Sequence, residues 1–381
     1  MTESQMDLES QMDNYEIIRQ KMKLGPLFAP KHPRVDKLLR IFWNEEESEI
    51  LAQFNSCDTP TALRELVQRT GKSKEEIKEI LKVPLRKKTI TQVGSKYTLL
   101  PLLPGIFEQY YIRRQDTEEN LKMAAKHYRF LFKNFLPSLY QETDFKIFRP
   151  RLPLDAGDKL IKIDKSIDVE QKTLSYELVK EIIDKYDHFV SIPCQCRLIG
   201  ELTGEPCKVA PSELGCFVAG PIAEIAMREG APVMTKDEAT EFLKKTEKAG
   251  LVHQVVADNS VDSGLVMCNC CSCHCGALIN GKQHKIVGTT PSNYKPVHDN
   301  ELCKKCDLCL KKCPMGVIYH HYPNKADKSD EYMYLNEEYC IGCGVCAANC
   351  PNDAIKLVKV RDEKFSEKHK IGNKSFLELL M

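Results

Sequence analysis

Eight cysteines near the C-terminus form two runs with the same spacing, and a proline follows the last cysteine of each. The runs are Cys303, Cys306, Cys309 and Cys313, then Cys340, Cys343, Cys346 and Cys350. Thiolates at intervals of three residues allow one loop to wrap three corners of an iron–sulfur cubane, and the fourth cysteine starts a helical turn that reaches the other cluster. Gly342 and Gly344 let the second run approach the inorganic sulfides closely. The spacing therefore predicts two 4Fe–4S clusters.

This pattern resembles the bacterial two-cluster ferredoxin, over roughly residues 299–358. The resemblance implies one 4Fe–4S cluster on Cys303, Cys306, Cys309 and Cys350, and a second on Cys340, Cys343, Cys346 and Cys313. A pair of zinc sites is the alternative, but zinc modules pair two Cys-x2-Cys units that lie about a dozen or more residues apart. The first run has Lys305 where the second has Gly342, which departs from the family pattern.

The residues that flank the two runs differ in charge. Lysines flank the first run and apolar residues the second: Lys304, Lys305, Lys311 and Lys312 against Ile341, Val345, Ala347 and Ala348. Positive charge stabilises a reduced, more negative cluster, so we expect the first cluster to have the higher reduction potential. We also expect these lysines to dock an acidic redox partner protein, the alternative being an ordinary solvated surface.

Nine further cysteines lie in the middle of the chain: Cys194, Cys196, Cys207, Cys216, Cys268, Cys270, Cys271, Cys273 and Cys275. Five thiols within eight residues are prone to oxidation unless a metal holds them. Both groups follow predicted strands, so two loops can converge on one site. We interpret a subset of these thiols as ligands of a third iron–sulfur cluster of open type, with a structural zinc site or reactive, persulfide-carrying thiols as alternatives.

Two polar residues near these thiols have simpler expected roles. Arg197 directly follows Cys196 and is expected to form a surface salt bridge, with neutralisation of cluster charge or binding of an anionic substrate as alternatives. His253 is expected to pack within a strand and not to bind metal. No residue is assigned a catalytic role, and the chain is interpreted as an oxidoreductase component; the alternative is that a middle cluster with an open iron itself reduces a substrate.

Composition limits the class of protein. The chain has 381 residues, of which 18 are cysteine, and 55 Lys and Arg against 54 Asp and Glu give a net charge of +1. This balance does not support coating of nucleic acid or of an anionic membrane. No apolar stretch is long enough to span a membrane, and residues 1–14 lack a secretory signal, so a reducing cytoplasm is expected. No nucleotide, flavin or ATP motif occurs.

The elements that must position these cysteines predict an α+β multidomain chain. A helix is expected from Thr59-Pro60 to Gly71, a second begins at the capping box of Ser73 and Glu76, and a hairpin turns at Gly94-Ser95. This order resembles a winged-helix domain, although Pro84 should kink or shorten the second helix. A helix capped by Thr235 and Glu238, with the hairpin after it, suggests a second such unit.

Six segments are predicted: an N-terminal helical segment (1–56), a winged-helix-like domain (57–112), a helical and extended connection (113–190), a cysteine-rich α+β metal-binding domain (191–295), a two-cluster ferredoxin-like domain (296–360) and a C-terminal tail (361–381). The whole chain resembles uncharacterised iron–sulfur proteins of anaerobic prokaryotes, through the motifs at 193–197, 250–253 and 268–271.

The predicted function is single-electron transfer as a subunit or partner of a cytoplasmic oxidoreductase, between the two 4Fe–4S clusters and the middle metal site. The alternative is a redox-sensing winged-helix transcription regulator. It rests on residues 71–96, where eight Lys or Arg against three Glu give a local charge of +5. Two ferredoxin clusters suit conduction better than sensing, so nucleic acid is not the expected partner.

Overall fold

The computed structural model describes residues 12–24, 27–142, 146, 148–160, 178–228, 230–256, 265–324 and 331–361. The chain divides into two compact units. Of the described residues, the first unit contains 12–24, 27–131 and 199–205, and the second contains the rest. The six predicted segments stay a prediction, and the tail beyond residue 361 lies outside the described residues.

The first unit is mainly helical. The helices that begin in it are α1 (Asn14–Lys21), α2 (Pro33–Phe42), α3 (Glu45–Leu51), α4 (Leu63–Thr70), α5 (Lys74–Arg86), α6 (Phe107–Arg113) and α7 (Glu118–Asn134). Its strands are β1 (Lys23–Leu24), β2 (Leu27–Phe28), β3 (Thr61–Ala62), β4 (Ile90–Val93) and β5 (Lys96–Leu99). Strands β1 and β2 form one antiparallel pair, and β3, β5 and β4 form a three-stranded antiparallel sheet in that order.

Local capping explains most of these boundaries. Ser73 and Glu76 form the predicted capping box at the start of α5, and Gly71 ends α4 with a φ of 70°. The predicted start of α4 at Thr59-Pro60 is wrong, because residues 61 and 62 pair with β5 before the helix begins. Helix α5 also continues past Pro84 and ends two residues later, at Arg86, so the proline lies in its final turn.

The second unit is built on a six-stranded antiparallel sheet. Its helices are α8 (Leu136–Glu142), α9 (Val179–Lys185), α10 (Gln195–Leu202), α11 (Pro221–Arg228), α12 (Lys236–Ala249), α13 (Gly281–His284), α14 (Leu308–Lys312) and α15 (Val345–Ala348). Its strands are β6 (Phe148–Pro150), β7 (Phe189–Ile192), β8 (Cys216–Ala219), β9 (Val233–Met234), β10 (Val252–Val256), β11 (Leu265–Cys270), β12 (Tyr294–His298), β13 (Ile318–His321), β14 (Tyr332–Leu335) and β15 (Ile355–Lys359). The large sheet has the order β6-β10-β11-β8-β7-β9, and β12-β15 and β13-β14 form two separate pairs.

The sheet corrects one expectation about the middle of the chain. Helix α12 has the predicted capping box of Thr235 with Glu238, and Gly250 ends it with a φ of 91°. However, the hairpin that follows, β10 and β11, lies within the six-stranded sheet and does not form a second winged-helix-like unit. The two faces of β11 differ, because alternate residues of a strand point in opposite directions. Leu265 and Met267 pack with α9 and α12, whereas Cys268 and Cys270 pack into a separate core.

Across the part of the chain that the structure describes, none of the helices is both long enough and apolar enough to cross a membrane.

Candidate metal centres

The two C-terminal cysteine runs have the same backbone conformation. In the first run Lys305 and Asp307 have positive φ values of 52° and 65°. In the second run the equivalent residues Gly342 and Gly344 have values of 65° and 73°. Lys305 thus adopts the left-handed conformation although it is not glycine, and the departure from the family pattern leaves the loop unchanged. Such a conformation costs a non-glycine residue about 1–2 kcal/mol.

Backbone amides also approach the sulfur atoms in the same way. The amide of Lys305 donates to Cys303 Sγ at 3.4 Å, and the amide of Gly342 donates to Cys340 Sγ at 3.5 Å. Amide donors of this kind stabilise negative charge on cysteine sulfur. Both loops are therefore shaped to hold thiolates.

The eight thiols line two cavities of about 340 and 330 Å³, and these volumes include the space that is open to solvent. The first cavity is lined by Cys303, Cys306, Cys309 and Cys350. The second is lined by Cys313, Cys340, Cys343 and Cys346. Each cavity combines three thiols from one run with the fourth from the other run, which is the grouping that the ferredoxin resemblance implies.

The surroundings of these cavities suit an iron–sulfur cluster. A Cβ atom on Gly342 would lie 2.2 Å from the carbonyl oxygen of Tyr294 and 2.4 Å from Ser292 Oγ, so only glycine fits there. Burial raises the pKa of both Cys309 and Cys340 to about 11. Thiols in such surroundings are held as thiolates by the positive charge of a bound metal.

The two cavities differ in exposure. Cys306 in the first cavity is exposed, whereas Cys343 and Cys346 in the second are buried. Two of the four flanking lysines already have partners, because Lys305 forms an ion pair with Glu331 at 3.7 Å and Lys312 donates to the carbonyl of residue 248 at 2.5 Å. The other two, at positions 304 and 311, are exposed.

The middle cysteines form two groups. We call the larger one the six-thiol group: its buried sulfurs act electrostatically on one another, and its members are Cys194, Cys196, Cys216, Cys268, Cys270 and Cys275. Within this group, Cys216 Sγ lies 3.9 Å from Cys268 Sγ. Residues 216, 268 and 270 lie within strands β8 and β11, so the expectation that all the thiols follow strands is wrong. Because residues 268 and 270 are two positions apart, β11 presents both sulfurs on one face.

The smaller group, which we call the tetrad, consists of Cys207, Cys271, Cys273 and His274. Its four candidate ligand atoms all lie within 4.8 Å of one another. The structure therefore divides the nine thiols, which the sequence had treated as one site, into six and three. His274 was not among the predicted site residues, and its position inside the string of five cysteines was the signal that could have identified it.

Arg197 is fully buried, so the predicted surface salt bridge is wrong. Its guanidinium donates to the carbonyl oxygens of Asn269 at 3.0 Å and Leu214 at 2.5 Å, and no acidic side chain of the described residues forms an ion pair with it. Burial alone would lower the pKa of Arg197, but sulfurs of both groups, led by Cys194 and Cys271, raise it above its usual range. A buried cation requires compensating negative charge, and thiolates of both groups are placed to supply it.

A polar network supports this region from behind the sheet. Asn269 lies between the two cysteines of β11. Its Oδ1 accepts a hydrogen bond from His253 Nδ1 at 2.6 Å, and its Nδ2 donates to the carbonyl of Gly215 at 2.7 Å. His253 Nε2 lies 3.0 Å from the carboxylate of Glu247. Both ring nitrogens of His253 therefore have partners other than a metal, which agrees with the predicted packing role.

A module with two cavities, each lined by four thiols in this arrangement, is typical of 4Fe–4S ferredoxins. Residues 302–364 match the 4Fe-4S dicluster domain family. Pyruvate synthase subunit PorD of Methanothermobacter marburgensis is 42% identical over 64 residues, which cover 17% of this chain and 65% of that protein. Pyruvate synthase subunit PorD of Methanocaldococcus jannaschii is 38% identical over 71 residues, 19% of this chain and 72% of that protein.

The uncharacterized ferredoxin MJ0722 of Methanocaldococcus jannaschii is 35% identical over 69 residues, which are 18% of this chain and 84% of that protein. Through its C-terminal module the chain belongs to the 4Fe–4S dicluster ferredoxin family. The chain spans just under two thirds of the first PorD protein, at 65%. Each of these matches covers less than a fifth of the chain, so the family describes the module and not the whole protein.

Proposed function

We propose that the protein is an electron-transfer component of a cytoplasmic oxidoreductase. The dicluster module exchanges single electrons with a partner protein, and the six-thiol group holds a third iron–sulfur cluster at the other end of the path. Bound clusters supply one-electron chemistry that side chains lack. All 18 cysteines are free of disulfides, which fits a reducing compartment.

One observation carries this proposal: thiols from the module and from the middle of the chain belong to the same hydrophobic core. Cys270 and Cys275 of the six-thiol group are in one cluster of buried residues with Cys313, Cys343 and Cys346 of the module. Other members of this cluster include Ala277, Leu278, Met315, Val317 and Ile318. A close-packed interior keeps redox centres in fixed positions. This shared core supports the proposal that the middle site is the next centre after the module.

Exposure indicates where electrons enter or leave. Cys306 is the exposed thiol of the first cavity, and Leu302 and Leu308 beside it are also exposed, at 46% and 36%. Lys304 on the loop and Lys311 in α14 are exposed as well, and they suit an acidic partner surface. The first cavity is therefore the proposed docking end, and the buried second cavity is the proposed inner centre.

The partner is proposed to be a multi-subunit oxidoreductase. Two of the relatives reported above are subunits of pyruvate synthase by name. Their likeness to this chain is confined to the module, so the substrate of the partner enzyme is not carried over.

For residues 57–112 we propose a winged-helix fold that contacts protein. The support is the order of elements within this range, in which β3, α4 and α5 are followed by the β4-β5 hairpin; helix α3 directly precedes the range. Part of the local positive charge is already neutralised: Lys87 is buried and forms an ion pair with Asp116 at 3.0 Å, and Lys82 pairs with Glu79. Less charge remains for DNA phosphates than the sequence suggests, so transcription regulation is the less favoured function.

The test of the electron-transfer proposal is metal analysis of the full chain after anaerobic purification. Two clusters alone require about eight irons per chain, and a third 4Fe–4S cluster raises the count to about twelve, with matching sulfide. Electron paramagnetic resonance of the reduced protein should then show a third signal. About eight irons would contradict the proposed role of the six-thiol group.

Two variants make this test specific. Cys268→Ser removes one thiol of the six-thiol group and should lower the iron content by about four per chain. Cys57→Ser is the matched control, because Cys57 is buried in the first unit and belongs to neither group of middle thiols. Equal iron in both variants would show that Cys268 holds no cluster. Salt-dependent binding of the holoprotein to duplex DNA would instead favour the regulator.

A further inference from the structure

The tetrad has the geometry of a site for a single ion. Cys207 Sγ lies 3.3 Å from Cys273 Sγ, and His274 Nδ1 lies 3.1 Å from the same sulfur. Cys271 Sγ lies within 4.8 Å of the ligand atoms of the other three residues. The four residues therefore surround one small volume, with the ligand atoms at its corners and all separations at or below 4.8 Å.

These separations match a site for a single metal ion. An ion with bonds of about 2.3 Å to sulfur and about 2.0 Å to nitrogen holds its ligand atoms about 3.5–3.8 Å apart in a tetrahedral site. To close around such an ion, the two shortest contacts of the tetrad must lengthen by a few tenths of an ångström, and contacts near the upper limit of 4.8 Å must shorten by about 1 Å.

The donor set identifies the ion. Three thiols and one imidazole form a closed four-ligand site of the kind that structural zinc prefers. Calcium and magnesium require oxygen donors, which the tetrad lacks. The amide of Val209 donates to Cys207 Sγ at 3.4 Å, which is the support that metal-bound thiolates commonly receive. Around the sulfurs the packing is apolar, with Ala210 and Leu251 buried beside Cys271.

We propose that Cys207, Cys271, Cys273 and His274 bind one zinc ion in a structural site that is separate from the six-thiol group. Both sites have ligands in the segment from Cys268 to Cys275, but no residue of this segment belongs to both sites. The zinc ion ties the loop at Cys207 to the turn after β11, over a separation of 66 residues. It thereby fixes the positions of Cys270 and Cys275 on either side of that turn.

Arg197 is hydrogen-bonded to segments beside these thiols. Its guanidinium donates to the carbonyl of Asn269, which lies between Cys268 and Cys270 in sequence, and to the carbonyl of Leu214, two residues before Cys216. Its Nε is buried without a hydrogen-bond partner among the described residues. A buried cation next to metal-bound thiolates offsets part of their negative charge.

The first test measures zinc at its X-ray absorption edge in the full-length holoprotein. The proposal predicts about one zinc per chain, with about three sulfur neighbours at 2.3 Å and one nitrogen at 2.0 Å. This readout ignores iron, so it is independent of whether the six-thiol group holds a cluster. Absence of zinc, or a shell of oxygen ligands around it, would overturn the proposal.

The second test compares variants by zinc and iron content. Cys273→Ser and His274→Gln should each reduce the zinc per chain about tenfold or more at a fixed chelator concentration. Cys216→Ser is the matched control, because it removes a half-buried thiol of the six-thiol group and should leave zinc unchanged. If Cys273→Ser and Cys216→Ser lose the same metal in the same proportion, the two groups form one site and the proposal fails. If a variant does not fold, the absorption measurement on the unaltered protein decides.

Discussion

Substitution of Gly342 by alanine tests how the second cluster loop is held. A Cβ at this position meets the carbonyl oxygen of Tyr294 at 2.2 Å and Ser292 Oγ at 2.4 Å. Ser292 also donates to the carbonyl of Gly342 at 2.6 Å, so the loop cannot move away without breaking that bond. We expect Gly342→Ala to displace the loop and weaken the binding of the cluster in the second cavity.

Two costs add up in this variant. The left-handed conformation, with φ of 65° at Gly342, costs a residue with a Cβ about 1–2 kcal/mol. Forcing a methyl group into a filled space costs about 1–3 kcal/mol more. The expected loss of stability is therefore about 2–5 kcal/mol. Gly230→Ala is the matched control, because Gly230 has a φ of 89° in the same unit and nothing lies within 4 Å of an added Cβ. It should lose only about 1–2 kcal/mol.

The assay is denaturant unfolding of both variants under anaerobic conditions, together with iron analysis and electron paramagnetic resonance. Gly342→Ala should lose up to about four irons per chain and one resonance signal, while the signal of the cluster near Cys306 persists. Gly230→Ala should keep all of its iron. If both variants unfold at the same denaturant concentration and retain equal iron, the close contact of Gly342 with Tyr294 is not a constraint on the loop.

Three further predictions concern charge. In a redox titration the cluster near the exposed Cys306 should have a higher potential than the cluster near the buried Cys343, and two indistinguishable potentials would contradict this. Arg197→Met should lower the free energy of unfolding by about 2–5 kcal/mol and release metal, because two buried carbonyls lose their donor. Arg197→Lys should retain more metal, and equal metal in both variants would argue against charge compensation. Burial, followed by the charge of Arg34, lowers the pKa of His127 to about 4. The contribution of neutral His127 to the free energy of unfolding is therefore complete above pH 6.5 and is lost as the pH falls toward 4. The expected loss between pH 7 and 5 is about 1 kcal/mol after solvent screening. Thermal unfolding of His127→Gln should lack this pH dependence.

The C-terminal module could be predicted from the sequence because its chemistry is local. Ligands at intervals of three residues are brought together by one loop, so the run from Cys303 to Cys309 and the run from Cys340 to Cys346 are readable without a fold. The capping box of Ser73 with Glu76 is local in the same way, since its two bonds join residues three positions apart. The start of α4 was misplaced because pairing of Thr61 with Tyr97, a distant residue, overrode the local proline signal.

The division of the middle thiols is decided by the tertiary structure alone. Cys207 and Cys273 meet across 66 residues, and Cys216 and Cys268 meet across 52, through the registers of β8, β10 and β11. Cysteine spacing contains no information about those registers, so nine thiols had to be treated as one site. The burial of Arg197 depends on the same packing. A sequence determines which residues can bind a metal, whereas the sheet that joins distant segments decides which of them share one.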